Sequence, residues 1–236
     1  MENGSKALIM AAEILIALLI ISLGVYMFVN FGQSSRTIAS NVYGNKRDAY
    51  NSHFLILDQR FDITAQEIAT AINYAKENND EYDLKYNETD SPYYMDVYVP
   101  IVKNVAGLTS VKVTSFFRDE TLSAAQNEKN YNDKNLFQNK VNSYIASNNL
   151  TYFSVNIRKI EKENVTKGSG ASAVTFINLR PTQIIETTDL SNSDIKVNQT
   201  SGRVTSIRFT YTSNYLPAGV DFRTITKDNF LINNGN

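Results

Sequence analysis

Few residues in this chain have the types and spacing that chemistry requires. Its single histidine, His53, has no cysteine to join it, because the chain contains none. Metal ligation there would rest on carboxylates alone, and thiolate zinc sites, disulfides and a cysteine nucleophile are excluded. Asp58 and Asp62 flank Arg60, the minimum carboxylate pair for glycosidic acid–base work, but no pocket signal surrounds them. Asn79, Asp80, Glu81, Asp83, Glu88 and Asp90 form an acidic run. A calcium loop of the EF-hand type needs glycine at its sixth position, and the run has none, so it reads as a solvated loop. No G-x-S-x-G, H-E-x-x-H or G-x-x-x-x-G-K-[ST] pattern occurs. The expectation is a protein that is not an enzyme and carries no metal or cofactor.

Two other groups point to contacts rather than catalysis. Tyr82, Tyr86, Tyr93, Tyr94 and Tyr98 cluster within seventeen residues. Tyrosine buries a large ring while its hydroxyl stays satisfied, which suits an interaction surface and equally a strand core. Glu13 lies inside an apolar run from Ala7 to Phe31 whose other polar residues are Ser22 and Asn30. A carboxylate near the centre of a membrane helix costs about 2.5–3.5 kcal/mol on insertion scales, so it implies a partner or a use. On a helical wheel Lys6, Glu13, Ala17 and Gly24 share one face, where small residues allow another helix to approach closely.

These groups imply the elements that must hold them. As a helix the apolar run would be roughly 37 Å long, enough to cross a bilayer core of about 30 Å with tilt. It is too long for a signal peptide and lacks a small-residue cleavage site after it. Residues 1–33 therefore read as a short leader and a transmembrane helix. Residues 34–60 read as a juxtamembrane stalk, and 61–236 as a globular domain that could divide near 120–130. Lys6, Glu2 and Glu13 are the only charges in the first 33 residues, so the remainder is neutral. That excludes the electrostatic footprint of a nucleic-acid binder.

Within the domain, Thr64-Ala65-Gln66-Glu67 is a capping box opening a helix with Ile68, Ile72 and Ala75 on one face. Met95, Val97, Val99 and Ile101 alternate along a strand, and Pro100 suggests a sheet edge. Thr109–Phe117 alternates likewise, with Gly107 in the turn between. Asn132–Ser147 reads as a second amphipathic helix, with Leu136, Phe137, Val141, Tyr144 and Ile145 on one side. Leu150–Ile160 and Ala173–Leu179 read as a hairpin joined by a turn over 162–172. Pro181–Ser193 reads as irregular or a short helix. Ile195–Val197 and Val204–Tyr211 form another hairpin. The order implies an α+β fold with a mostly antiparallel sheet, two amphipathic helices and a single N-terminal transmembrane helix.

The leader with Gly4, then Lys6, then a long apolar helix with one glutamate resembles the N-terminus of type IV pilins and pseudopilins. The resemblance implies peptidase cleavage between Gly4 and Ser5 and a helical stalk before an α+β head; in the family a glutamate neutralises a neighbouring subunit's N-terminus, and Glu13 lies four residues beyond that position. Leu8-Ile9 matches the pair before the family's glutamate, but Met10 stands at that glutamate's place. The capped start Asp62–Glu67 and the late strand Gly202–Phe209 also resemble small single-pass proteins of low-GC Gram-positive bacteria.

The expected function is a membrane-anchored structural or assembly protein, pilin-like or part of a secretion apparatus, at the cell membrane. Its partners would be the membrane itself and copies of this chain or other membrane proteins, met through the helix. Arg36, Lys46 and Arg47 after the helix outnumber Lys6 before it and would favour a cytoplasmic domain by charge. Large domains translocate largely regardless of such charge, and the strand-rich, Tyr-, Asn- and Thr-rich domain favours an extracytoplasmic head. The alternative is a monomeric membrane-tethered binding module.

Overall fold

The computed structural model describes Ser22, Met27 and residues 41–105, 108–170, 173–189, 191–221 and 230–232. The chain divides into two units, Met1–Ala49 and Tyr50–Asn236. In the first, Ser22, Met27 and residues 41–49 are helical. The transmembrane helix expected over 7–31 lies almost wholly outside the described residues, as do Gly4, Ser5, Lys6, Glu13, Ala17 and Gly24. Among the described residues no helix is long and apolar enough to cross a membrane.

The second unit is a mixed α+β fold in which antiparallel pairing dominates. Helix α1 (Ala65–Glu81) is followed by the hairpin β1 (Asp96–Val105) and β2 (Leu108–Ser115). Helices α2 (Ala124–Asn132) and α3 (Lys134–Ser147) come next, then β3 (Phe153–Ser154). A long hairpin, β4 (Ile157–Lys167) and β5 (Val174–Ile184), precedes β6 (Ile195–Val197), β7 (Val204–Arg208), β8 (Thr210–Tyr211) and β9 (Phe230–Ile232). Three sheets result, in the orders β2-β1-β7-β6, β3-β8 and β4-β5-β9. Only β1 with β7 and β5 with β9 run parallel among the named pairs.

Helix α1 starts where its capping box places it. The Thr64 hydroxyl accepts from the Glu67 amide at 3.3 Å, and Glu67 accepts from the Thr64 amide at 2.9 Å. Ile68, Ile72 and Ala75 are fully buried against Met95, Val97 and Val99 of β1 and the residues before it. Burying each such isoleucine is worth about 1.5–3 kcal/mol. Phe116, Phe117, Tyr131, Phe137 and Val141 join the same core. One core cluster thus takes residues from both sides of 120–130. A smaller cluster of Phe61, Ile157, Ile160 and Leu179 lies under the long hairpin.

Several elements differ from the sequence expectation. The stalk expected over 34–60 loses its last eleven residues to the second unit. Phe54 and Leu57 are buried in its core, and Asn51 accepts from the Val204 amide at 2.9 Å while donating to the Gly202 carbonyl at 2.8 Å. The helix expected over 132–147 forms as Lys134–Ser147, starting two residues later because Asp133 leaves helical geometry (ψ 109°) to cap the Asn135 and Leu136 amides, and Asn132 instead ends α2, which was not expected. Leu136, expected inward, is exposed. The strand expected over 150–160 breaks at Asn156, whose φ of 56° no ladder accommodates. Strand β5 continues through Pro181 to Ile184 where irregular chain was expected.

Candidate interaction surface

The five tyrosines separate into three settings. Tyr82 and Tyr93 stack with ring centroids 4.6 Å apart and an interplanar angle of 17°, and both remain exposed, at 39% and 42%. Tyr94 is buried and donates to the Tyr86 carbonyl at 2.7 Å, while the Tyr86 ring tilts against Tyr131. Tyr98 is half-buried beside Arg118, with the Arg208 guanidinium 5.2 Å from its ring. Burial pushes the Tyr94 and Tyr98 phenols up, and the nearby Asp96 charge adds to this. Of the five, Tyr82 and Tyr93 thus present an outward ring pair, while Tyr86 packs against the main core.

Arg203 holds that pair in place. It follows Gly202, whose φ of 65° closes the turn ordered by the Asn198 side chain. The Arg203 guanidinium lies 3.9 Å from the Tyr50 ring centroid and 5.3 and 5.7 Å from those of Tyr82 and Tyr93. It donates to Asn78 Oδ1 at 2.6 Å, and Asn78 donates to the Tyr93 carbonyl at 2.8 Å. Next to it, Asn79 exchanges two bonds with the Met95 backbone, 2.9 and 2.8 Å. These two asparagines tie the last turn of α1 to the entry of β1, which explains why the helix persists through Asn78 and Asn79. A guanidinium over a desolvated ring is worth up to about 2 kcal/mol. Burial raises the Tyr50 phenol, which donates to the Val204 carbonyl at 2.9 Å, and Arg203 opposes that rise.

The other singled-out residues do not converge. Asp58 and Asp62 part company. Asp58 accepts from Asn156 Nδ2 at 2.6 Å and from Thr187, whereas Asp62 and Glu67 both pair with Arg60, at 2.9 and 2.6 Å. His53 stacks on Tyr74 with centroids 3.9 Å apart. Among the described residues no group of three His, Asp or Glu side chains is arranged to hold a metal ion.

Two features had no clear sequence signal. The first is a buried polar joint. Asp194 accepts a bidentate pair from Arg158 at 2.7 and 2.8 Å and the Asn156 amide at 2.7 Å, while its own amide donates to Asn156 Oδ1 at 2.6 Å. The second is a groove of about 490 Å³ between β1 and α3, lined by Pro100, Ile101, Val102, Lys140, Tyr144 and Tyr211 among others. Burial lowers the Lys140 ammonium below its ordinary range, partly opposed by Asp119.

The chain matches no protein-family model, no curated protein and no solved structure.

Proposed function

We propose that this chain is a membrane-anchored structural or assembly protein, pilin-like in organisation, whose folded head lies outside the cytoplasm and makes contacts rather than performs chemistry. The observation that carries the reading is the apolar run Ala7–Phe31, interrupted by Glu13 and followed by a separately packed unit. The Lys6–Glu13–Ala17–Gly24 face gives such an anchor a helix-packing role. The ring pair of Tyr82 and Tyr93, backed by Arg203, supports a contact role for the head, because exposed rigid aromatics bury area at low entropic cost.

The test is made on native membranes with full-length protein. The protein should resist carbonate extraction, and protease added outside should cut the exposed 82–93 segment in intact cells. Extraction into the soluble fraction, or cleavage only after lysis, would contradict the proposal. Mass spectrometry of the N-terminus adds a separate readout, since a chain beginning at Ser5 supports pilin-type processing and one beginning at Met1 a plain anchor.

A further inference from the structure

The pairing pattern of β1 leaves part of the strand open. Val97 accepts from the Phe116 amide on the β2 side, and the register continues as Val99↔Thr114, Ile101↔Lys112 and Val105↔Leu108. Antiparallel ladders alternate, so odd-numbered residues of β1 bond to β2 and even-numbered residues turn their backbone groups the other way. Tyr98 confirms the alternation, accepting from the Phe209 amide on the β7 side. The parallel pairing with β7 ends at Tyr98↔Arg208. The next outward donor would be residue 100, and proline has none. The chain then leaves for β3, which pairs with Thr210 and Tyr211. The outward N–H and C=O of Val102 and Asn104 and the carbonyl of Pro100 consequently meet no strand among the described residues.

This open edge forms one wall of the groove, and α3 forms the other through Lys140, Ser143, Tyr144 and Ser147. Its volume of about 490 Å³ falls within the roughly 300–1,000 Å³ typical of ligand clefts. Lys140 donates to the Phe116 carbonyl and lies 4.7 Å over the Phe116 ring, with no carboxylate within ion-pair distance among the described residues. The Tyr144 hydroxyl is buried and has no hydrogen-bond partner among the described residues. Val102 and its cross-strand neighbour Val111 are both about half exposed. Natural edges are usually guarded by charge, a bulge or a covering segment. Here a proline limits pairing at one end only.

We propose that this groove binds an extended peptide strand bearing a carboxylate, adding it to the outer edge of β1 so that the acid faces Lys140. Backbone bonds to Val102 and Asn104 would supply affinity, and the ammonium, which no carboxylate pairs at ion-pair distance among the described residues, would select the acidic residue. A second copy of this chain fits less well, because isologous edge pairing would bring two Lys140 cations to one interface. The inference is independent of the membrane reading, since it uses only the second unit.

The test uses full-length protein in detergent micelles. The probes are two pools of fluorescent, acetylated and amidated pentapeptides of Thr and Val, one with Asp at each position in turn and one with Asn. Fluorescence polarisation should show the best Asp peptide binding at least about tenfold tighter than its Asn counterpart. Amide exchange should slow at Val102 and Asn104. Lys140→Met should erase the preference for Asp, and N-methylating the peptide on its bonding side should abolish binding even if Val102→Pro proves poorly folded. Equal binding of the two pools, no binding of either, insensitivity to N-methylation, or dimerisation through this edge in place of peptide capture would each overturn the proposal.

Discussion

Arg203 is the residue whose removal should cost the second unit most for one side chain outside the apolar core. It satisfies Asn78 and lies between three tyrosine rings, so Arg203→Met leaves a buried amide oxygen without its donor and Tyr82 and Tyr93 without their cation. The expected loss is about 2–4 kcal/mol in urea unfolding followed by tyrosine fluorescence. Arg203→Lys should restore less than half, because an ammonium cannot lie flat on a ring and reach Asn78 together. An unchanged midpoint for Arg203→Met would show that the rings hold themselves. Glu67 gives a pH-dependent counterpart. Burial opposes its charge, but the Thr64 amide, Arg60 and the Thr64 hydroxyl outweigh that, so its carboxyl sits below the ordinary range. A depressed carboxylate stabilises the fold above the unfolded value of about 4.3 and loses that contribution as pH falls through the folded value. Glu67→Gln should therefore show a smaller drop in stability between neutral pH and about pH 3. Thr64 and Glu67 were readable in the sequence because a capping box is local. Arg203 was not, since its partners Tyr50, Asn78, Tyr82 and Tyr93 lie more than a hundred residues away.

At the scale of elements, the same contrast recurs. Helix α1 and strands β1 and β2 follow from caps and alternation, and the buried faces of α1 and β1 are those the pattern implies, whereas Val111 of β2 is exposed. Helix α2 had a readable start that the sequence reading passed over, since Ser123 and Gln126 form a second capping box. The break between β3 and β4 had no local signal. Asn156 turns the chain there because its side chain bonds Asp58 and the Asp194 amide, contacts made across 98 and 38 residues. Asn156→Ala should cost about 3 kcal/mol or more, combining a left-handed backbone without a permissive residue and two lost buried bonds. Asn156→Gly should cost less than Asn156→Ala, because glycine removes the backbone part alone. Equal losses in thermal unfolding would mean that the side-chain bonds carry the whole effect.

For the molecule as a whole, the apolar run Ala7–Phe31 precedes a packed unit beginning at Tyr50. The α+β class was readable because helix and strand periods alternate along the chain. The three-sheet arrangement was not, because it depends on β7 pairing parallel to β1 and β9 to β5, across long separations that no local pattern encodes. We propose that the apolar run assembles through its Lys6–Glu13–Ala17–Gly24 face. The most direct test compares full-length protein and Glu13→Leu in native membranes, crosslinked with a lysine-reactive reagent and resolved by size. Membrane insertion should be equal, and the ladder of oligomers should collapse in Glu13→Leu. An undiminished ladder in the variant would contradict it.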